Sequence, residues 1–233
     1  MHIYKNPHFS IYFGDVQDQL YPEHYLASPS NAQLLLQSPY AQLQKTIAIK
    51  NLYFARQIHS TKGYQTEDGI LPAFAHEGDY LVTSTKNSGI GVMTADCLPI
   101  VLCDPNQPLL AIVHAGWKGS VQGILHQVVP LFTNKKSLQV FFGPSAGVCC
   151  YQVQPDFGAS IPLNLHNSVF KMQDNKLFFN LSEYNRFTLI DYGIPQSAIR
   201  THYNYCTMCD LRFFSHRRQA QAAGRQMTVA ALR

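Results

Sequence analysis

The sequence predicts an α+β fold, a single domain of mixed β-sheets flanked by helices over residues 1–233. Four short apolar runs, Asp79 to Thr83, Ile90 to Met93, Pro99 to Cys103 and Leu109 to His114, succeed one another with Gly, Asn, Asp and Pro between them, as consecutive strands do. Helical periodicity appears only after them and between further strands, without the regular alternation of a doubly wound parallel sheet. Hydrophobic residues make up 46% of the chain and charged residues 14%, against roughly 25% charged in an average soluble domain. That composition supplies a sizeable core and argues against disorder. No internal repeat, low-complexity tract or linker-like stretch divides the chain.

The elements follow in order. The first fifty residues mix aromatics with loop formers and offer only a short helix from Asn31 to Leu36, stopped before Pro39. Leu52 to His59, LYFARQIH, is β-prone and would deliver His59 to a strand end, with a glycine-containing loop from Thr61 to His76 behind it. Beyond the four central strands, Val121, Ile124, Leu125, Val128 and Leu131 recur at three- and four-residue spacing, which predicts an amphipathic helix over Ser120 to Phe132 with Ser120 as its N-cap. Leu138 to Phe142 reads as a strand, and Leu177 to Asn180 as another that leads into a helix from Ser182 to Tyr192. Ile199 to Tyr203 and Met227 to Leu232 add two more strand candidates.

Lys+Arg minus Asp+Glu is 18 minus 14, a net charge of +4 that is not gathered into a stripe. Lys135-Lys136 and Arg217-Arg218 are too short to track a phosphate backbone, so no nucleic-acid partner is expected. No apolar run approaches the roughly 20 residues of a membrane span, because Asp96 and Asp104 interrupt the most hydrophobic third, so no membrane partner is expected either. The opening MHIYKNPHFSIYF lacks the layout of a secretory signal, which points to the cytoplasm and to reduced thiols at Cys97, Cys103, Cys149, Cys150, Cys206 and Cys209. The sequence does not fix an oligomeric state.

The residues most suited to chemistry are His59, Cys97 and His114, each where a predicted strand gives way to a loop. Two imidazoles and a thiolate suit zinc, and three protein ligands leave a fourth position for water, the catalytic arrangement; spacing alone leaves satisfied histidines and a buried thiol as the alternative. Asp96, beside Cys97 in TADCLP, would orient a ligand histidine or accept a proton, or else serve as a turn residue. Trp117 in HAGWKG, with Lys118 beside it and Gly116 and Gly119 flanking, offers either a stacking surface for a flat ligand or core packing. Arg217 and Arg218 in FFSHRRQAQAAGR are donors suited to phosphate or carboxylate, or a solvated basic face. CTMC, with Cys206 and Cys209, has the spacing of half a zinc ribbon or of a redox pair, with no second C-x-x-C to complete the former, and Cys149-Cys150 reads as a packed turn.

Five blocks in this order, RQIHSTKG, GDYLVTSTKNSGIGVMTADCLPIVLCDP, AIVHAGWKG, FFGPSAGVCCYQV and CTMCDLRFFSHRRQAQAAGRQMT, resemble the YfiH-type family of laccase-domain proteins from about Arg56 to Leu232. The resemblance implies a single α+β domain, zinc ligands at His59, Cys97 and His114, and a cytosolic enzyme of purine nucleosides. The implied reactions are phosphorolysis of adenosine, inosine, guanosine or methylthioadenosine, with phosphate as co-substrate, and deamination of adenosine. Two positions depart from the family: its N-terminal F-[ST]-x-R-x-G-G string is FSIYFGD here, with Tyr12 for the arginine and Asp15 for the second glycine, and its Asn-Arg is Asn31-Ala32. Arg56 or Lys62 would then have to stand in for a lost phosphate donor. The family's older label, copper polyphenol oxidase, gives a rival reading with copper at the same ligands; against it, no histidine pair of the H-x-H or H-C-H kind exists for a trinuclear cluster. Two further rivals are a metal-free hydrolase with Cys97 as nucleophile and His114 as base, and a binding protein that has lost turnover.

Overall fold

In a computed structural model, which describes residues 2–20, 40–66, 74 and 76–233, the strands gather into two large sheets and one small one. The five-stranded sheet runs β1 (His2–Lys5), β2 (Phe9–Phe13), β14 (Gln226–Leu232), β6 (Ser88–Thr94), β3 (Asn51–Phe54). The six-stranded sheet runs β13 (Ile199–Arg200), β9 (Gln139–Phe142), β7 (Leu98–Asp104), β8 (Leu109–Ala115), β5 (Tyr80–Thr83), β4 (Gly63–Thr66). The small sheet holds β10 (Gln152–Val153), β12 (Lys176–Phe179) and β11 (Phe170–Gln173), with the short α4 (His166–Val169) leading into it. The large sheets are mixed: β3 with β6, β4 with β5 and β9 with β13 pair parallel, and the rest antiparallel. This is the α+β architecture that the sequence predicts.

The apolar runs of β7 and β8 are unbroken because both of their faces are covered. Val101, Cys103, Leu110 and Ile112 point between the sheets, against Phe9, Ile11, Ile90 and Val92. Their alternates Ile100, Leu102, Ala111 and Val113 point the other way, onto α3 (Ile124–Val128) and α5 (Leu181–Asp191). On the outer face of the five-stranded sheet, Leu52, Phe54, Met93 and Val229 meet α1 (Tyr40–Ile47). The result is four layers, helix on sheet on sheet on helices. Each buried Leu, Ile, Val or Phe contributes about 1.5 to 3 kcal/mol, so the two central strands anchor the fold.

Several sequence expectations change. The hairpin β1–β2 and the helix α1 arise in the N-terminal stretch where none was expected, while the expected helix over Asn31 to Leu36 lies outside the described residues. The strand starting near Leu52 ends at Phe54, so His59 sits in the following loop with a left-handed backbone, φ 59°. The expected loop after it contains β4, which pairs with β5. The helix expected over Ser120 to Phe132 is broken into α2 (Trp117–Val121), α3 and a 3-10 turn at Val129–Leu131. Gly123, at φ 88°, ends the first piece, and Pro130, which has no N–H to give, shapes the last. Gly116 rather than Ser120 caps α2, and Ser120 is buried within it, accepting a hydrogen bond from Asn185. Of Ile199 to Tyr203, only Ile199–Arg200 is strand. The helix expected from Ser182 is α5, started by Asn180, whose side chain accepts from the N–H of Glu183 at 3.1 Å. Among the described residues no helix is long and apolar enough to cross a membrane.

Candidate metal centre and its cleft

The chain leaves β6 at Thr94 and enters β7 at Leu98, changing sheets across Ala95, Asp96 and Cys97. Antiparallel register sets Leu98 opposite Ala115 and Pro99 opposite His114, so Cys97 comes level with Gly116 just past the strand ends. A Cβ at Gly116 would lie 3.0 Å from the Cys97 sulfur and 3.1 Å from the His59 ring, so a side chain there would displace both donors by a few tenths of an ångström. Asp96 itself is left-handed at φ 86°, a conformation that costs a non-glycine residue about 1 kcal/mol or more. Its buried carboxylate compensates by accepting from the Thr207 hydroxyl at 2.7 Å, the Arg217 backbone N–H at 2.7 Å and the Ser215 hydroxyl at 3.1 Å. Ser215 also caps the short α6 (His216–Gln219).

His59, Cys97 and His114 meet here, with one donor atom of each lying within 4.8 Å of the others. The Cys97 sulfur stands 3.7 Å from Nε2 of His59. A tetrahedral zinc with ordinary bond lengths sets its sulfur and nitrogen about 3.6 Å apart, the separation at which Cys97 and His59 already stand. His114 is buried, and its Nδ1 bonds Oδ1 of Asp79 at 2.8 Å, which leaves Nε2 as its ligand atom.

Asp79 is the residue that sequence reasoning missed. Besides His114, it accepts the backbone N–H groups of Ile58, His59 and Ser60 at 3.2, 2.9 and 2.6 Å and the Ser60 hydroxyl at 2.8 Å, thereby fixing the left-handed loop that carries His59. The orienting carboxylate expected at Asp96 is thus supplied by Asp79, and Asp96 instead ties its own turn to Thr207, Ser215 and Arg217. Its signal in the sequence is faint: an acid opening the apolar run DYLVT, where a strand would tolerate it only with partners.

The electrostatics follow from this packing. Burial would raise the Asp79 carboxyl, but hydrogen bonds from His114 and Ser60 outweigh it and hold it below its ordinary value. Burial would likewise raise the Cys97 thiol, yet the two histidines beside it bring it down to about 6. Burial opposes charge on His114, but the Cys97 thiolate and Asp79 lift it to about 9. The cluster therefore favours a thiolate, the form that binds metal.

All three donors line a cleft of about 550 Å³. Trp117 and Lys118 line it from the start of α2, with the Lys118 ammonium 5.8 Å from the indole centre. Trp117 also packs edge-on against Phe157 at 5.1 Å, so its two expected roles coexist. Arg217 also lines the cleft, its guanidinium 5.0 Å from the ring centre of Tyr151 and bonded to the Gln152 carbonyl at 3.0 Å. Arg218 departs from expectation: its guanidinium is taken up by the carbonyls of Thr207, Met208 and Phe213, and it does not line the cleft. Arg56 lines the cleft, paired with Glu77 at 2.9 Å, whereas Lys62 does not. Tyr12, at the family's arginine position, is buried and donates its hydroxyl to Asp18 outside the cleft; Ala32 lies outside the described residues.

Comparison with known proteins gives a consistent picture. The sequence pattern of the multi-copper polyphenol oxidoreductase laccase family matches residues 30–233. A purine nucleoside phosphorylase of Aquifex aeolicus is 30% identical over 190 residues, covering 81% of this chain and 86% of its own. Adenosine deaminase RL5, from an unknown prokaryotic organism, is 31% identical over 202 residues, covering 80% of this chain and 77% of its own. Among solved structures, the hypothetical protein YfiH of Bacillus licheniformis superposes with a TM-score of 0.75 at 29% identity, covering 82% of this chain and 79% of that one.

Proposed function

Since the chain belongs to the multi-copper polyphenol oxidoreductase laccase family, with relatives that carry the names purine nucleoside phosphorylase and adenosine deaminase, we propose that it processes purine nucleosides at a zinc held by His59, Cys97 and His114. The observation that carries this reading is the donor set itself: two imidazoles and a thiol whose donor atoms lie within 4.8 Å of one another, opening onto a cleft with an indole and cations on its walls. The substrates are adenosine, inosine, guanosine or methylthioadenosine with phosphate for phosphorolysis, and adenosine with water for deamination. When bound, zinc supplies a Lewis acid and a water acidified toward neutrality.

The chain's own residues do the rest. Trp117 presents a flat face for the purine, and Lys118 and Arg217 hold phosphate near the sugar. In phosphorolysis a phosphate oxygen bonds to C1′ as the C1′–N9 bond breaks, the bonding pair leaves on the base, and the base takes up a proton. In deamination water adds at C6 and ammonia departs. Asp79 keeps His114 in one tautomer and His59 in place, and Asp96 acts as a positioning residue for Cys97 and Arg217. Arg56 is the cleft cation that compensates for the family arginine replaced by Tyr12. Copper would suit the same donors. Among the described residues, however, the donor groups are these three and a set of four cysteines, with no histidine-rich cluster for oxygen reduction.

The test is to incubate the purified protein with adenosine, with and without phosphate, and separate adenine, inosine, hypoxanthine and ribose 1-phosphate by liquid chromatography. Adenine with ribose 1-phosphate, formed only with phosphate, supports phosphorolysis, and inosine supports deamination. No product from adenosine, inosine or methylthioadenosine overturns the reading and leaves a binding protein.

A further inference from the structure

We propose that Cys149, Cys150, Cys206 and Cys209 form a second metal site, a closed tetrathiolate that takes zinc and staples two loops together. The CTMC motif lacks a partner pair in the sequence because its partner is the vicinal pair Cys149-Cys150, and the fold brings the two together. All four sulfurs lie within 4.8 Å of one another. Cys209 stands 3.3 Å from Cys149 and 2.8 Å from Cys150, and all four thiols are free. A tetrahedral zinc with sulfur ligands about 2.3 Å away sets its sulfurs about 3.8 Å apart, so loading requires the closest pair to open by about 1 Å.

Backbone hydrogen bonds hold the two loops around the cluster. Ser145 and Cys206 form a parallel bridge, with the Ser145 N–H donating to the Tyr205 carbonyl and the Thr207 N–H to the Ser145 carbonyl, each at 3.0 Å. The turn of the vicinal pair closes through the Cys150 and Tyr151 N–H groups on the Gly147 carbonyl at 3.0 and 2.9 Å. Gly147 donates its own N–H to the Cys206 sulfur at 3.3 Å, as second-layer donors do at ligating thiolates. A Cβ there would lie 3.2 Å from the Cys149 sulfur and 3.3 Å from that of Cys206, so a side chain would shift the sulfurs by a few tenths of an ångström. Zinc with four thiolates carries two negative charges. The Arg218 guanidinium lies against the same loop, bonded to the carbonyls of Thr207 and Met208, the two residues that separate Cys206 from Cys209 in the sequence.

Four sulfurs complete the shell of zinc and leave no open position, which makes this a structural site. Cys149 and Cys209 are exposed and Cys150 and Cys206 half-buried, so metal reaches it from solvent. The stapled loops carry Tyr151, on the cleft wall, and Thr207, which bonds Asp96. The site therefore fixes one side of the cleft from behind.

The test counts metal and does not depend on any activity toward nucleosides. Zinc is measured by mass spectrometry in protein purified without added metal, for the native chain, Cys97→Ser and Cys209→Ser. The expected result is one zinc fewer in Cys209→Ser than in the native chain, and a zinc that persists in Cys97→Ser. In cobalt-loaded protein, thiolate-to-cobalt absorption should be far stronger in Cys97→Ser, with four thiolates on one ion, than in Cys209→Ser, with one. A Cys209→Ser chain with the native zinc count overturns the proposal, as does a native chain whose mass shows a disulfide among these cysteines. Should Cys209→Ser fail to fold, the native chain still decides: four thiols that resist alkylation until a chelator is added support the site, and four that react at once without chelator overturn it.

Discussion

His59, Cys97 and His114 come from three separate places in the sandwich and face outward into a cleft, whereas Cys149, Cys150, Cys206 and Cys209 come from two loops and face one another. The first cluster is braced by protein: the β7–β8 register, Gly116 and the buried carboxylate of Asp79 position its donors. The second is held by a bridge and a turn on loops, and a metal would supply much of its rigidity. Ligand number and scaffold thus go together in the two proposed sites, with three donors braced by the β7–β8 strand ends and a pinned loop where one position would stay open, and four on loops where the shell would close.

Substitutions at the two clusters should therefore fail in different ways. Cys97→Ser should lower kcat/KM for adenosine by about a thousandfold or more and remove the cleft zinc, while its melting temperature stays near the native value. A Cys97→Ser protein with native turnover would sink the zinc-centred reading. Cys209→Ser should show the converse, a melting temperature lower by about 10 °C, with turnover retained when assayed well below it. Equal loss of activity in both variants would erase the distinction drawn here.

Asp79→Asn sharpens the comparison within the first cluster, because it keeps the ligands and weakens what aims them. Zinc affinity at the cleft should fall about ten- to a hundredfold by competition with a chelator, and the four-thiol cluster should keep its metal. Arg217→Ala should raise the KM for phosphate by about tenfold and leave the KM for adenosine nearly unchanged, which steady-state kinetics with each substrate varied would reveal. The smallest effect lies away from both clusters. Burial pushes the Asp18 carboxyl up to about 6, above its unfolded value near 4. Its folded form thus favours the proton, so that contribution to stability is full below about pH 4 and is lost as pH rises through 6. Denaturant titrations from pH 4 to 7 should show a loss of about 1 kcal/mol, after discounting for its incomplete burial, that Asp18→Asn removes.

What the sequence revealed depended on how local the cause was. Strands β5 to β8 were legible because their apolar runs are buried on both faces and need no partner to be recognised. The hairpin β1–β2 was not, since HIYK and FSIYF become strands only by pairing with each other and with β14. Gly123 and Pro130 each announced a break that the spacing of Val121 to Leu131 concealed. His59, Cys97 and His114 stood out as donors, while Asp79 did not, because its value lies in a loop whose left-handed turn is invisible in residue types. Cys149 and Cys209 are separated by 60 positions, and contacts distant in sequence, the Ser145–Cys206 bridge among them, make them neighbours.

The passage of the chain from one sheet to the other at Ala95 to Cys97 has a consequence for how such a protein can vary over time. Only three residues separate the strands, so the spacing of the two sheets is transmitted directly to the sulfur. A smaller or larger side chain at Ile112 or Ile90, deep in the layer between the sheets, would shift that spacing and with it the distance from thiol to imidazole. A substitution in that interior layer therefore acts on the chemistry as well as on stability.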